Sequence, residues 1–272
     1  MAWPLGMIVP LQDATPFSPF TPEGWREALA QVKAAGFDGV ELAITNPSLL
    51  DSSAVAEALT TEGLQLLSIT TGQAAGLEGL SLASKDDNIR HRAIDRIQDH
   101  MRFAEPWDAV VIIGSLRGAD GNASLLVEAL RICARSNPSI RLALEPLNRY
   151  ETHLVHTTTD ALHLLDKVGA ENLGVLFDTF HANIEEPSIG EAIHLAGDRL
   201  FHVHLADSNR WVPGHGHTDF SPVWHALNGV HYARGVVLEP LPLPTKEAVL
   251  ASPGALHSAW KHAEATRNDR HA

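Results

Sequence analysis

The chain has 272 residues, long for an ordinary domain but normal for a single α/β barrel, and enough to bury a large core. Its 33 acidic against 20 basic side chains give a formal charge of −13, which argues against nucleic acid or an anionic membrane surface as a partner, since no basic patch overrides it. A lone cysteine, Cys133, excludes a disulfide framework and a cysteine-based zinc cluster.

Leu5 to Val9 reads as a first strand, followed by a proline-rich loop (Pro10, Pro16, Pro19) and a helix capped by Thr21 with Pro22 at its first position. Gly36 closes that helix. Phe37 to Ile44 is expected as a second strand with Glu41 embedded in it, and Asp51 to Thr61 as a helix behind a D-S-S cap. Leu64 to Thr70 reads as a third strand, and T-G-Q-A-A-G-L-E-G-L as a glycine-rich loop. A helix from about Lys85 to Phe103 follows, with an apolar face through Ile89, Ala93, Ile94, Ile97 and Met101.

Ala109 to Gly114 is the expected fourth strand, Asn122 to Ala134 a helix, and Ile140 to Leu144 the fifth strand, ending at Glu145. Thr158 to Val168 reads as a helix, Gly174 to Phe177 as the sixth strand ending at Asp178, and Ser188 to Ala196 as a helix. Leu200 to Leu205 is the seventh strand, Phe220 to Leu227 a helix, Gly235 to Leu238 the eighth strand ending at Glu239, and Lys246 to Ala263 the last helix. No linker interrupts the eight strand-then-helix units, so residues 1–272 are read as one (β/α)8 TIM-barrel domain. A doubly wound open sheet is the alternative, but only closure brings the ends of strands five to eight to one mouth. The N-terminus, M-A-W-P-L-G-M-I-V-P, lacks the charged and apolar regions of a signal peptide, and no apolar run reaches membrane-spanning length. A soluble, cytoplasmic protein is expected.

Four strand ends carry side chains that packing does not require: Glu145 in L-E-P-L-N-R-Y-E, Asp178 in F-D-T-F-H, His204 in H-V-H-L-A-D-S-N-R and Glu239 in V-L-E-P. Three carboxylates and one imidazole suit a hard or borderline divalent cation, Mn²⁺, Mg²⁺ or Co²⁺, with coordination sites left for a substrate. Asp178 taken alone reads equally well as the cap of a following turn. His202 lies two residues before His204 on the same side of the strand and is read as one layer deeper. His215 and His217, in P-G-H-G-H, fall in a loop and make only a weak case for substrate contact.

A cation at such a mouth acidifies the C–H between a carbonyl and a hydroxyl, and carboxylates on opposite faces exchange that proton to give an epimer. No nucleotide cofactor is expected, because no dinucleotide fingerprint follows the first strand and no phosphate-binding lysine loop occurs. All five lysines fall in or beside expected helices, which disfavours a Schiff base.

In these motifs the chain resembles the sugar isomerase and epimerase branch of the xylose isomerase-like TIM barrels, particularly the D-tagatose and D-psicose 3-epimerase group. The resemblance implies that Glu145, Asp178, His204 and Glu239 bind Mn²⁺ or Co²⁺ and that Glu145 and Glu239 are the acid/base pair. It implies a sugar-binding role for Glu151, six residues after the first ligand, for His181, three after Asp178, and for Arg210, six after His204. His181 and Arg210 would hold the oxygens at C1 and C2. A homodimer or homotetramer acting on a small sugar is implied as well.

The stretch A-D-S-N-R-W-V-P-G-H-G-H-T-D-F looks closer to sugar-phosphate isomerases/epimerases and keto-hexonate epimerases. Arg117, just past the fourth strand, is read as able to clamp a carboxylate or phosphate at the far end of the substrate, with a salt bridge to a loop acid as the equal alternative. An aldose–ketose isomerase using the same metal is the alternative activity. An apurinic-site endonuclease, sharing this barrel type, is a distant one, since the acidic charge and Val9, Ala43 and Ile69 at the early strand ends disfavour it.

Overall fold

A computed structural model describes residues 3–268. Eight parallel strands close into a barrel in sequential order: β1 Leu5–Pro10, β2 Gly39–Ala43, β3 Gln65–Thr70, β4 Val110–Ile113, β5 Leu142–Leu144, β6 Leu173–Asp178, β7 Leu200–Leu205 and β8 Val236–Leu238. The α-helices are α1 Trp25–Ala34, α2 Ser52–Glu62, α3 Gly72–Glu78, α4 Asp87–Ala104, α5 Ala123–Ser136, α6 Thr158–Val168, α7 Thr179–Glu185, α8 Ile189–Ala196, α9 Ser221–Gly229 and α10 Lys246–Asn268. The strands are short and apolar because both faces are covered, one by helices and one by the barrel interior. No helix among the described residues is long and apolar enough to cross a membrane.

Of the two expected caps, that at Asp51 forms and that at Thr21 does not, and a further one appears at Thr157. Asp51 accepts from Ser53 N and Ala54 N at the start of α2, and Thr157 and Asp160 make a reciprocal capping box on α6. Thr21 opens a 3-10 turn, Pro22–Gly24, before α1, without a side-chain cap. The glycine-rich stretch after β3 is a helix, α3, rather than the loop its glycines suggested. Its Ala74 packs into the core, and Gly79 supplies the left-handed closing residue (φ 65°). The turn that Asp178 was expected to cap continues into a helix, α7.

Two register shifts mark the barrel interior. Between β2 and β3, Val40 pairs with Leu66 but Glu41 with Ser68, so Leu67 is an extra residue. Between β6 and β7, Val175 pairs with Leu200 but Leu176 with His202, so Phe201 is extra. Such bulges re-aim the residues that follow. Here they set Ser68, and His202 with His204, against Glu41 inside the barrel.

Candidate metal centre and sugar-binding cleft

The four predicted ligands meet at the C-terminal mouth. Glu145, Asp178, His204 and Glu239 are all buried, and each offers a ligand atom within 4.8 Å of the others. Glu145 follows β5 with its N–H on Ile113 O (3.1 Å), and Glu239 follows β8 with its N–H on Leu205 O (3.1 Å), so backbone pairing fixes both side chains at the rim. Asp178 fulfils both readings of its position. Its Oδ1 caps α7 by accepting from Phe180 N (2.6 Å) and His181 N (3.3 Å), while Oδ2 faces His204 Nδ1 at 4.0 Å. Glu145 Oε1, Asp178 Oδ2 and His204 Nδ1 are buried with no hydrogen-bond partner. Buried polar atoms are normally satisfied, so three orphans pointing at one another fit a divalent cation that would complete them.

The electrostatics separate the two glutamates. Burial and the neighbouring Glu239 carboxylate push Glu145 well above the ordinary carboxylate range. Burial would raise Glu239 too, but His204 and Arg210 outweigh it and hold it low. Burial raises Asp178, with His181 opposing. His204 is pulled down by burial and raised further by Glu41 and Glu239, ending well above an ordinary histidine.

The predicted sugar contacts assemble beside the ligands. His181 Nδ1 accepts from Asn148 N (3.2 Å) and from Asn148 Nδ2 (2.8 Å), which leaves Nε2 as the N–H donor of the neutral ring. That Nε2 has no partner and lies 3.8 Å from Glu145 Oε1. Burial, opposed by Asp178 and reinforced by Arg210, takes this imidazole down to about 4, so it is neutral at physiological pH. Arg210 reaches Glu151 Oε1 (3.1 Å) and Glu239 Oε2 (3.2 Å), with its guanidinium 4.1 Å over the Phe17 ring and 4.8 Å from that of Phe180. Glu151 also accepts from Asn148 Nδ2 at 2.9 Å.

A cavity of about 210 Å³ opens over this group, with walls from Ile8, Phe17, Gln73, Gly114, Leu147 and Arg210. A recess of about 510 Å³ adjoins it, sharing Ser115, Leu147 and Glu151 and extending past α3 to Gly118 and Asp120. Another recess, about 470 Å³, lies on the outer wall between α5 and α6 and carries none of the predicted site residues. Gly114 leaves room for the Glu145 carboxylate: a Cβ there would sit 2.5 Å from Glu145 Oε2, so the carboxylate would have to move. Gly114→Ala is therefore expected to displace the Glu145 carboxylate and lower turnover by roughly 100-fold, since misplacing a catalytic group by an ångström costs about that much. Steady-state kinetics beside a thermal melt would check that the loss is catalytic.

Arg117 corrects an expectation. It is wholly buried, and its guanidinium donates to Glu145 O and, at 3.3 Å, to Val155 O. The 3-10 turn Ser115–Arg117 folds the side chain back under the β5 loop, so it braces the Glu145 backbone and clamps nothing in the cleft. Burial lowers it to about 10, which leaves it charged. His215 and His217 are exposed on their loop and do not line the cleft.

Five residues to which the sequence reading gave no role surround or support the site: Glu41, Phe17, Phe180, Asn148 and Asp207. Glu41 lies under His204, its Oε2 3.0 Å from His204 Nε2, and the two histidines hold it well below an ordinary carboxylate despite burial. Asp207 organises the loop that carries Arg210. It accepts from Ser208 N (2.7 Å), Thr218 N (2.9 Å) and Gly214 N (2.8 Å), while Arg210 itself takes a left-handed φ of 59°.

Burial would raise Asp207, but these backbone N–H groups outweigh it and bring it down to about 2. Because the folded-state value lies below the ordinary one, the stabilisation is complete above about pH 4 and is lost as pH falls toward 2. Asp207→Asn is expected to lose about 2 kcal/mol at neutral pH and to flatten the acid limb of the stability profile between those values, as measured by urea melts across pH.

Comparison with known proteins identifies the family of the barrel. The family model for the xylose isomerase-like TIM barrel matches residues 29–253. A D-psicose 3-epimerase of Ruminiclostridium cellulolyticum is 30% identical over 225 residues, covering 78% of this chain and 76% of its own. A 3-dehydro-D-guloside 4-epimerase of Escherichia coli strain K12 is 28% identical over 241 residues, covering 81% and 88%. Among solved structures, one of an L-ribulose 3-epimerase superposes with a TM-score of 0.84 at 22% identity, covering 100% of this chain and 99% of that one. The chain belongs to the xylose isomerase-like TIM barrel family, and within it stands beside enzymes named as sugar epimerases.

Proposed function

We propose that the protein is a divalent-metal-dependent epimerase that inverts C3 of a ketose or ketose derivative by removing and returning a proton, with Glu145 and Glu239 as the acid/base pair. The observation that carries this reading is the convergence of three orphaned buried ligand atoms with the Glu239 carboxylate. Glu145, Asp178, His204 and Glu239 would hold the cation, Mn²⁺ best matching this oxygen-rich set with Co²⁺ or Mg²⁺ as alternatives. When bound, it supplies polarisation of the carbonyl and the adjoining hydroxyl.

The chain's own residues do the rest. His181 Nε2–H and the Arg210 guanidinium donate to the substrate oxygens on which charge develops. Glu151 and the two flanking rings hold Arg210 in place for that. Glu145 and Glu239 flank the cleft with their proton affinities pushed apart, which suits one to give a proton while the other takes one.

The charge of the cleft favours a neutral substrate. Arg210 is the one cation among the residues lining the cavity, and it is held by Glu151 and Glu239. The adjoining recess has acidic Asp120 and Glu151 and no cation in its lining. A phosphate or carboxylate would meet carboxylates there.

A second reading comes from the recess itself, which gives room for a further neutral group on the sugar. The same acid/base pair would then invert C4 of a 3-keto-glycoside, and the 28% identity to a 4-epimerase supports keeping it. A substrate panel with Mn²⁺-loaded protein tests both. A neutral ketose or 3-keto-glycoside is expected to exceed its phosphorylated counterpart by about 100-fold in kcat/KM. Preference for the phosphate would overturn the neutral assignment, and an aldose product would replace the epimerase by an isomerase.

A further inference from the structure

We infer that Glu41 is a positioning residue that fixes which nitrogen of His204 faces the metal and strengthens that nitrogen as a ligand; this rests on the metal reading of the four-residue set. Glu41 projects from the middle of β2, one layer beneath the mouth, and is wholly buried. Its Oε2 accepts from Ser68 Oγ at 2.6 Å and lies 3.0 Å from His204 Nε2 and 3.2 Å from His202 Nε2. A carboxylate accepts and does not donate, so His204 carries its proton on Nε2. Nδ1 is left as the nitrogen that faces Glu239 Oε2 (3.5 Å) and Asp178 Oδ2 (4.0 Å), the one a bound cation would take.

The backbone is shaped to make this contact. The extra residue Leu67 in β3 puts Ser68 in register with Glu41, and the extra residue Phe201 in β7 turns His202 and His204 into the barrel together. Without either bulge the polar side chains would point toward the helices. A wholly buried carboxylate in an otherwise apolar strand is costly, and its hydrogen bond to a metal-facing imidazole gives it a use that packing does not.

Glu41, His202 and His204 also lie close enough together to be considered as a second ion site. We assign the trio to positioning because Glu41 Oε2 already has three partners and His204 Nε2 is one of them.

The test compares wild type with Glu41→Gln and Ser68→Ala, using the full chain stripped of metal. Mn²⁺ titration by calorimetry is expected to show one equivalent bound in each, with affinity lowered ten- to hundredfold in Glu41→Gln, the usual effect of removing a partner behind a metal-bound histidine. Ser68→Ala, which spares the His204 contact, is expected to stay within about threefold and controls for damage to the buried layer. In ¹⁵N-histidine protein loaded with diamagnetic Zn²⁺, a downfield, slowly exchanging His204 Nε2–H is expected in the wild type, and in Glu41→Gln, where only a neutral acceptor remains, it is expected to move upfield and exchange faster.

Wild-type affinity in a folded Glu41→Gln, or an unchanged Nε2–H resonance, would overturn the inference. So would a second equivalent of Mn²⁺ lost on substitution, since that would make Glu41 a ligand. Failure of the wild type itself to bind Mn²⁺ would instead overturn the metal reading under the proposed function.

Discussion

Glu239→Gln and Glu145→Gln are each expected to lower turnover by about 10⁴-fold, the upper range for removing a positioned acid or base. Glutamine keeps the shape of the side chain and an oxygen for the cation, but it neither takes nor gives the proton. The two losses are expected to be alike although the side chains differ in environment, because each half of an epimerisation needs one group to accept and the other to donate. Their surroundings push them apart: burial and the Glu239 charge raise Glu145, while His204 and Arg210 lower Glu239. Kinetics at saturating Mn²⁺, with Mn²⁺ content measured on the same samples, distinguish lost chemistry from lost metal. Near-normal turnover in either variant would remove that residue from the acid/base pair.

Trp3→Ala is expected to cost about 3–5 kcal/mol, the range for truncating a large buried aromatic side chain. Trp3 lies just before β1, stacked on Trp260 of α10 with ring centroids 3.5 Å apart and on Trp224 of α9 at 6.2 Å. Its Nε1 donates to Tyr232 O, so the indole joins the first strand, the last helix and the approach to β8 in one contact. The substitution leaves both a cavity and a buried carbonyl without its donor. For a chain of this size the melting temperature is expected to fall by roughly 10 °C. A shift of less than about 2 °C would show that the stack does not close the barrel.

The barrel was legible because its strands are short apolar runs covered on both faces, and because helices must connect parallel neighbours. That four candidate ligand side chains would converge was legible for a related reason. An acid or histidine at the end of such a run is not called for by packing: Glu145 and Glu239 directly follow β5 and β8, Asp178 ends β6, and His204 is the last residue but one of β7.

Glu41 carried the opposite signal, a charge inside the run G-V-E-L-A, and its partners His202 and Ser68 come from two other strands shifted by bulges. Periodicity does not reveal a bulge. Phe17 and Asn148 were illegible because loops place them by turns rather than by a repeat, and Phe17 supplies an aromatic wall of the cleft from the loop after β1. Arg117 was located correctly along the chain and wrongly in depth, because a single 3-10 turn decides whether its side chain enters the cleft or folds under it.

The central claim is proton exchange with solvent at one carbon of a sugar. The most direct test is deuterium wash-in followed by NMR, with metal-stripped protein reloaded with Mn²⁺ and incubated in D₂O with neutral ketohexoses, ketose phosphates and keto-hexonates. Deuterium is expected at C3 of a neutral ketose, with its epimer forming at a comparable rate and both processes lost in Glu239→Gln. Epimer formed without any deuterium, or no exchange with any member of the panel, would contradict that claim.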